Sequence, residues 1–322
     1  MSDRQRLPHG SRLQFLSPRN QKSLRAYLTL LQARQYAPSS IDAMVTSIKS
    51  LYQLLPETRR RKIAQDFAAL TPEDIDTWID AASTHGLAPS TIMGRLRLLR
   101  RFFEFLMEQG HLLRQPIRRH RHEVTVPQYL PHPIPDDDLV TFFRVIDSLR
   151  NRLIFLLMLR CGLRVSETVR LKWDAINWEQ GTLRIDDGKG AVDRIVYFSP
   201  DVDTAMQQWQ RLQSPKSVYF FPSRHQKKAG APLDRKSIND LMNAYIKQAG
   251  LPHYTPHALR HTFATQMLNA GVTLEVLKEL MGHQHLDMTL RYAKLYEGTK
   301  RDQYDRAMGQ VEKRRQSKGG QV

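Results

Sequence analysis

A proline-rich, basic segment divides this sequence of 322 residues into two parts. Prolines stand at positions 116, 127, 131, 133 and 135, and the run RRHRH lies between the first two. Because proline lacks a backbone N–H and blocks a helix interior, neither a helix nor a central strand can run through this segment. We therefore predict two domains, 20–115 and 136–311, joined by a linker over 116–135. A flexible N-terminus, 1–19, and a disordered basic tail, 312–322, flank them.

The first part has the apolar spacing of helices and no strand pattern. In APSTIMGRLRLLRRFFEFL, apolar residues recur at intervals of three and four and predict one buried face, formed by Ile92, Leu96, Leu99, Phe103 and Leu106. Arg97, Arg100 and Arg101 lie on another face and could follow a DNA phosphate backbone. Glu104 and Glu108 lie nearby, so a solvated helix face is an equal alternative.

The second part is mostly helical, with one interruption that has the pattern of a β-hairpin. In TLRIDDGKGAVDRIVYF, Leu183 and Ile185 alternate with polar residues before a turn signal at Asp187, and Lys189 stands at the predicted tip. The fold prediction is a mainly α protein. A helical N-terminal domain is followed by a mixed, mostly helical C-terminal domain with a small antiparallel sheet.

The charge points to a polyanionic partner. Lysine and arginine outnumber the acidic residues and give a formal net charge of +17, which favours nucleic acid, although a merely soluble basic protein also fits the charge alone. The longest apolar run, Leu153 to Leu159, is too short to span a bilayer. The N-terminus lacks a secretory signal, and the lone Cys161 excludes an intramolecular disulfide. We expect a cytoplasmic protein with no membrane partner.

The stretch YTPHALRHTFATQ predicts a helix whose start binds an anion. Thr255 suits the N-cap, Pro256 suits the first helical position, and the buried side would consist of Leu259, Phe263 and Met267. His257 and Arg260 are three residues apart and therefore share a face. Free backbone N–H groups and the helix dipole favour a phosphate or carboxylate there.

Two other short stretches place polar residues at helix boundaries. In CGLRVSE, a helix ends near Gly162 and Ser166 could help start the next one, which leaves Arg164 in the junction. In MGHQHLDMTLRYAKLY, Gly282 ends a helix, and Tyr292 follows His283 by nine residues. Backbone donors and acceptors are unpaired at such boundaries, so each stretch is a candidate binding position.

Taken together, five pieces resemble one family. GLRVSE, a lysine within GKG, HALRHTFAT, LMGH and a tyrosine nine residues after that last histidine occur in the order typical of tyrosine recombinases, which include phage integrases and Xer-type enzymes. The resemblance covers about 151–307. In outline it extends to the N-terminal part, which is similar to the family's SAM-like core-binding domain.

The resemblance implies a catalytic set. Arg164 and Arg260 would hold the nonbridging oxygens of a scissile DNA phosphate, and Tyr292 would attack the phosphorus, leaving a 3′-phosphotyrosyl link and a 5′-hydroxyl. The other implied roles are a general base, a further phosphate donor and an acid for the leaving oxygen, which fall to His257, His283 and Lys189 respectively. The family reaction needs no metal and no cofactor.

Several alternatives accompany this interpretation. His253, His257 and His261 are spaced by four and could bind zinc, but prolines interrupt a continuous helix and no carboxylate or cysteine joins them, so we predict no metal. The second histidine of the HALRH motif is usually structural in the family, so His261 is not included. Tyr296 lies one helical turn from Tyr292 and could compete as nucleophile.

The resemblance also implies a function and partners. The protein would be a site-specific recombinase acting as a homotetramer on double-stranded DNA with an inverted-repeat core site, with room for an accessory DNA-binding protein. An Xer-like or mobile-element role in the bacterial cytoplasm, at the nucleoid, follows. Arg118 and Arg119 in the linker are further candidate DNA contacts. The alternatives are a noncatalytic sequence-specific DNA-binding accessory protein on the same scaffold and a type IB topoisomerase.

Overall fold

The computed structural model describes residues 13–127, 132–186, 193–213, 217–223 and 230–282, with 304, 305, 308, 309 and 312 beyond them. The chain divides into two compact units, Met1–Gln128 and Tyr129–Val322. The described residues are mainly helical and include one three-stranded antiparallel sheet. The predicted fold class is confirmed.

The N-terminal unit is built from helices that mostly begin with proline. They are α1 (Pro18–Ala33), α2 (Pro38–Leu54), α3 (Glu57–Gln65), α4 (Pro72–Thr84) and α5 (Pro89–Glu108), with a 3-10 turn at Phe67–Ala69. Proline has no N–H to leave unpaired in the first turn, so it fixes where a helix can start. In α4, Thr71 and Asp74 also form a capping box.

Helix α5 supplies the centre of the N-terminal core. All five of its apolar positions predicted to be buried are buried, and they pack with Trp78 of α4 and Phe102. The two arginines on its outer side, Arg97 and Arg101, are exposed. The helix is therefore amphipathic, as its sequence predicts.

The first half of the predicted linker packs on this unit. Ile117 lies in the N-terminal core, and His122 is buried. The Nδ1 atom of His122 accepts the backbone N–H of Arg118 at 2.9 Å, and its Nε2 contacts the carbonyl of Pro72 at 3.1 Å. Ile134, near the other end of the predicted linker, lies in the C-terminal core.

The C-terminal unit is mostly helical. Its elements are α6 (Asp136–Arg144), α7 (Leu149–Arg160), α8 (Val165–Arg170), β1 (Ile176–Asn177), β2 (Thr182–Ile185), β3 (Arg194–Tyr197), α9 (Pro200–Arg211), α10 (Arg235–Ala249), α11 (Pro256–Asn269) and α12 (Leu274–Met281). Buried α7 packs against α9 and α11. Its continuous apolar run reflects that burial, and none of the described helices is long and apolar enough to cross a membrane.

The small sheet confirms the predicted hairpin. The strands are antiparallel in the order β1, β2, β3, and Leu183 of β2 pairs with Ile176 on one side and Val196 on the other. Strand β1 was not predicted, because two residues are too few to show an alternating pattern. The turn that carries Lys189 lies outside the described residues.

Candidate active site

Arg164 lies in the junction between α7 and α8, as predicted. Gly162 has a left-handed backbone with φ +64°, and Arg164 immediately precedes the first residue of α8. The backbone N–H of Arg164 donates to Oε2 of Glu167 at 2.7 Å, so Glu167 and not Ser166 caps this helix. The predicted role of Ser166 was wrong because a glutamate three residues into a helix reaches back to the cap more directly.

Arg260 lies on α11 and is 2% exposed. Its Nη1 donates to the carbonyl of Gly162, and its Nη2 donates to the carbonyl of Met281. The first carbonyl lies two residues beyond the end of α7, and the second belongs to the last residue of α12, where the carbonyls have no partner within the helix. Arg260 thus ties three helices together at one point.

Glu167 is the centre of the cluster, and the sequence reasoning gave it no role. Its side chain is 5% exposed, and its Oε1 accepts from Nη1 of Arg164 at 2.6 Å. Arg194 donates to both oxygens, from Nη1 at 2.9 Å and from Nη2 at 2.8 Å, and Nη1 of Arg260 is 3.8 Å from Oε2. The spacing of three between Arg164 and Glu167 was the available signal.

The carboxyl of Glu167 is ionised at neutral pH. Burial alone would raise its pKa, but the hydrogen bonds and charge of Arg194, the backbone N–H of Arg164 and the charge of Arg260 lower it to about 2. A buried carboxylate that several guanidinium groups share holds those groups in fixed positions.

The arginines of this cluster bind the carboxyl end of α12. The carbonyl of Leu280 accepts from Arg194 at 2.9 Å, and that of Gly282 accepts from Arg164 at 2.7 Å. The carbonyl of Met281, between them, accepts from Arg260. These are the orphan carbonyls of a helix C-terminus, which also carries the negative end of the helix dipole. Gly282 ends α12 with φ +59°, as predicted.

His257 occupies the first turn of α11 beside this cluster and is exposed to solvent on its outer side. Partial desolvation lowers its pKa, and the positive charges of Arg260 and Arg164 lower it further, against the opposing charge of Glu167. The imidazole is therefore neutral at pH 7 and able to accept a proton.

The structure brings together three of the predicted catalytic residues, Arg164, His257 and Arg260. The other three, Lys189, His283 and Tyr292, lie outside the described residues, as does Tyr296. Among the three clustered arginine side chains, that of Arg164 is the most accessible at 26%, against 3% for Arg260 and 6% for Arg194. An anion that reaches this site would meet Arg164 and His257 first.

The candidate DNA contacts differ in exposure. Arg97, Arg101, Arg118 and Arg119 are exposed. Arg100 is partly buried, and its Nε binds the carboxylate of Glu104 at 3.0 Å. Arg100 therefore fits the alternative of a solvated helix face, in which arginines pair with nearby glutamates, better than Arg97 and Arg101 do.

The histidines next to this site do not form a metal-binding cluster in the described part of the chain. The rings of His257 and His261 lie 5.6 Å apart, and no three His, Cys, Asp or Glu side chains among the described residues are arranged to hold a metal ion. Cys161 is buried, and burial raises the pKa of its thiol, so it stays protonated.

The fold and the arginine cluster define a class, the tyrosine recombinases, and comparison with known proteins agrees. Residues 134–298 match the model of the phage integrase family, and residues 24–110 match the phage integrase N-terminal SAM-like domain. The chain belongs to the phage integrase family and is a tyrosine-type site-specific recombinase.

Individual relatives match much of the chain. The tyrosine recombinase XerA of Pyrococcus horikoshii is 33% identical over 202 residues, which span 62% of this chain and 67% of the relative. The tyrosine recombinase XerC of Chromohalobacter salexigens is 28% identical over 284 residues, 86% of this chain and 93% of the relative. The Tn1549 transposon integrase, solved with circular intermediate DNA, has the same fold with a TM-score of 0.66 at 19% identity and covers 84% of this chain and 94% of the other.

Proposed function

We propose that this recombinase cleaves one DNA strand by attack of Tyr292 on a phosphodiester held at Arg164 and Arg260. The observation that carries the proposal is the arrangement of these two arginines around the single buried carboxylate of Glu167, beside a neutral His257. Glu167 fixes the guanidinium groups before DNA arrives, so they do not have to reorganise as charge develops on the phosphate.

The covalent chemistry balances without a cofactor. The phenolic oxygen of Tyr292 forms a bond to phosphorus while the bond from phosphorus to the 5′-oxygen breaks. The phenolic proton passes to His257, and the 5′-oxygen takes a proton from Lys189. The 3′-phosphotyrosyl link conserves the energy of the phosphodiester. Attack by a 5′-hydroxyl from another strand reverses the step and joins the new ends.

His257 suits the role of base because of its surroundings. Partial desolvation, together with the charges of Arg260 and Arg164, keeps its pKa below the usual value, so the imidazole is unprotonated when the tyrosine must lose its proton. In the proposed site His283 donates a further hydrogen bond to the phosphate. It follows Gly282 directly in the sequence, and the carbonyl of Gly282 is bound by Arg164.

The DNA-binding surface would include the exposed arginines of the N-terminal unit. Arg97 and Arg101 are one turn apart on the outer side of α5 and can follow phosphates along one strand, and Arg118 and Arg119 add positive charge after that helix. The proposed substrate is a double-stranded site with inverted-repeat arms, bound by a homotetramer in the bacterial cytoplasm. An Xer-like or mobile-element reaction is the proposed setting, and the resemblance to XerA, XerC and a transposon integrase supports it.

A covalent-complex assay tests the proposal. Purified protein is mixed with duplex DNA from beside the encoding gene, the reaction is stopped in detergent, and the products are separated on a denaturing gel. Tyr292→Phe and Tyr296→Phe are matched variants, because each removes one hydroxyl. We expect a slow protein–DNA band from the parent and from Tyr296→Phe, and no band from Tyr292→Phe.

The same assay separates the alternatives. A band that disappears in Tyr296→Phe and persists in Tyr292→Phe would identify Tyr296 as the nucleophile. Specific binding to this DNA that weakens steeply with salt, with no covalent band from the parent, would favour the noncatalytic DNA-binding protein.

A further inference from the structure

Arg194 is buried in the candidate site although the resemblance assigns it no role. Its side chain is 6% exposed, and it is the first residue of β3. It donates to both carboxylate oxygens of Glu167 and, from Nε, to the carbonyl of Leu280. One planar guanidinium therefore joins a strand, the start of α8 and the end of α12.

These contacts require an arginine. Two parallel N–H bonds to one carboxylate need the fork of a guanidinium, and the third bond uses the Nε–H in the same plane. A lysine would bring a single charged nitrogen and could not make all three contacts. A buried charge of this kind is costly to desolvate, and the bonds to Glu167 and Leu280 offset that cost.

The contact between Gly282 and Arg194 shows how closely the end of α12 approaches the start of β3. A Cβ atom built on Gly282 would lie 2.8 Å from Nη1 and 3.0 Å from Cδ of Arg194. Gly282 is thus required twice, by its left-handed φ of +59° and by the side chain packed against it. The end of α12 and the start of β3 fix each other's position.

The two elements joined by Arg194 lead to proposed catalytic residues. Lys189 precedes Arg194 by five residues, in the connection from β2 to β3, and His283 follows Gly282. We propose that Arg194 is a positioning residue. By holding the start of β3 against Glu167 and the end of α12, it fixes the strand that follows Lys189 in the sequence, and so aids proton donation by Lys189 to the leaving oxygen of the phosphate held at Arg164 and Arg260.

This inference rests on the proposed function and specifies what Arg194 adds to it. A proton donor displaced by about 1 Å from the leaving oxygen loses on the order of 10²-fold in rate. Binding of DNA should change little, because the Arg194 side chain is buried beneath the site. The expected signature is a slower chemical step at saturating DNA with nearly unchanged affinity.

The test uses the full-length protein with Arg194→Lys and Arg194→Gln. Arg194→Lys keeps a positive charge beside Glu167. It therefore allows the test to be made if Arg194→Gln does not fold. Arg184→Gln is the matched control, because Arg184 lies on the neighbouring strand β2, is exposed and pairs only with Asp186 among the contacts described. Melting temperature, DNA affinity and the single-turnover rate of covalent-complex formation are measured for each.

A substrate with sulfur in place of the bridging 5′-oxygen isolates the proton-donor step. A thiolate is a far more stable leaving group than an alkoxide, since a thiol has a pKa of about 8.5, and it departs without protonation. The sulfur is placed at the cleavage position mapped with the parent protein. We expect Arg194→Lys to cleave the oxygen substrate about 10²-fold more slowly than the parent and to recover at least about tenfold on the sulfur substrate.

The outcomes are distinct. An equal rate loss on both substrates would mean that Arg194 supports the site generally, and an unchanged rate on the oxygen substrate would mean that it has no positioning role. Either result overturns the proposal. Lys189→Ala shows how much faster the sulfur substrate is cleaved than the oxygen substrate when the proton donor is absent. Two other results would count against the proposed function instead. They are a parent that forms no covalent complex and a Lys189→Ala variant that the sulfur substrate does not rescue.

Discussion

Two sets of arginines, one on α5 of the N-terminal unit and one in the C-terminal unit, differ in their surroundings. On α5 of the N-terminal unit, Arg97 and Arg101 are exposed. In the C-terminal unit, Arg194 and Arg260 are buried around the carboxylate of Glu167. An exposed guanidinium attracts a polyanion from a distance and is screened by salt, whereas a buried, hydrogen-bonded one cannot move and is little screened. We therefore propose that the first set contributes to DNA affinity and the second to the chemistry on one phosphate.

Removing the shared carboxylate should have the largest effect on the buried set. Glu167→Gln leaves neighbouring guanidinium groups without their counter-charge, so we expect the free energy of unfolding to fall by about 3–5 kcal/mol. The pKa of Glu167 is lowered to about 2 in the folded protein. The ionised carboxylate therefore stabilises the folded state fully above its ordinary pKa, and this contribution disappears as the pH falls toward 2.

Urea unfolding of parent and variant between about pH 3 and 7 checks this prediction. The parent should lose stability toward acid more steeply than Glu167→Gln does. Parallel pH curves for the two proteins would show that the carboxylate is not held in its charged form.

The pH dependence of cleavage should depend on His257. Its pKa is lowered by desolvation and by the nearby arginines, so the rate should decline only below the usual histidine range and should rise with pH to a plateau. His257→Gln should slow covalent-complex formation by about 10²-fold and remove this acidic limb. His261→Gln, one turn along α11, is the control and should retain the limb. A limb that survives in His257→Gln would assign the base to another group.

A matched pair of glycines compares local packing in the two units. Gly162 and Gly86 both have left-handed backbones, but a Cβ on Gly162 would lie 2.5 Å from the ring of Phe263, whereas one on Gly86 would meet nothing within 4 Å. Alanine at either position carries the conformational cost of about 1–2 kcal/mol. We expect Gly162→Ala to be the more destabilising by a further 1–3 kcal/mol, roughly the cost of overpacking, in chemical unfolding. Equal losses would mean that Phe263 moves aside freely.

The smallest effect should come from replacing an exposed arginine of α5. Arg101→Gln should weaken DNA binding a few-fold and reduce the slope of log affinity against log salt by about 1 unit, with no change in cleavage rate at saturating DNA. Arg100→Gln is the internal comparison, because Arg100 is paired with Glu104, and it should alter the slope less. Binding isotherms at several salt concentrations measure both. An unchanged slope in Arg101→Gln would place this side of α5 away from the DNA.

Local sequence signals predicted the elements and several site positions well. The proline start of α11, the apolar face of α5, the β2–β3 hairpin and the glycine end of α12 all follow from rules that act within a few residues. The junction at Arg164 was recognisable for the same reason. The resemblance to tyrosine recombinases then connected pieces that lie far apart in the chain.

Contacts between distant residues could not be predicted in this way. The link from Arg194 to Glu167 joins residues 27 positions apart, and that from Arg260 to Gly162 joins residues 98 apart. The HALRH motif suggested an anion site at Arg260, but it did not indicate that this side chain is buried and binds backbone carbonyls. Only tertiary packing distinguishes an arginine fixed in the core from one on the surface.

The contrast between the two arginine sets can be tested most directly with Arg260→Lys, for which single-turnover covalent-complex formation is measured at saturating DNA over a range of salt concentrations. A lysine keeps the charge but loses the paired donors that reach Gly162 and Met281. The rate should fall by about 10²–10³-fold at every salt concentration, while the salt slope of binding stays that of the parent. A parental rate would show that the paired donors of Arg260 are not needed and would contradict its role at the scissile phosphate.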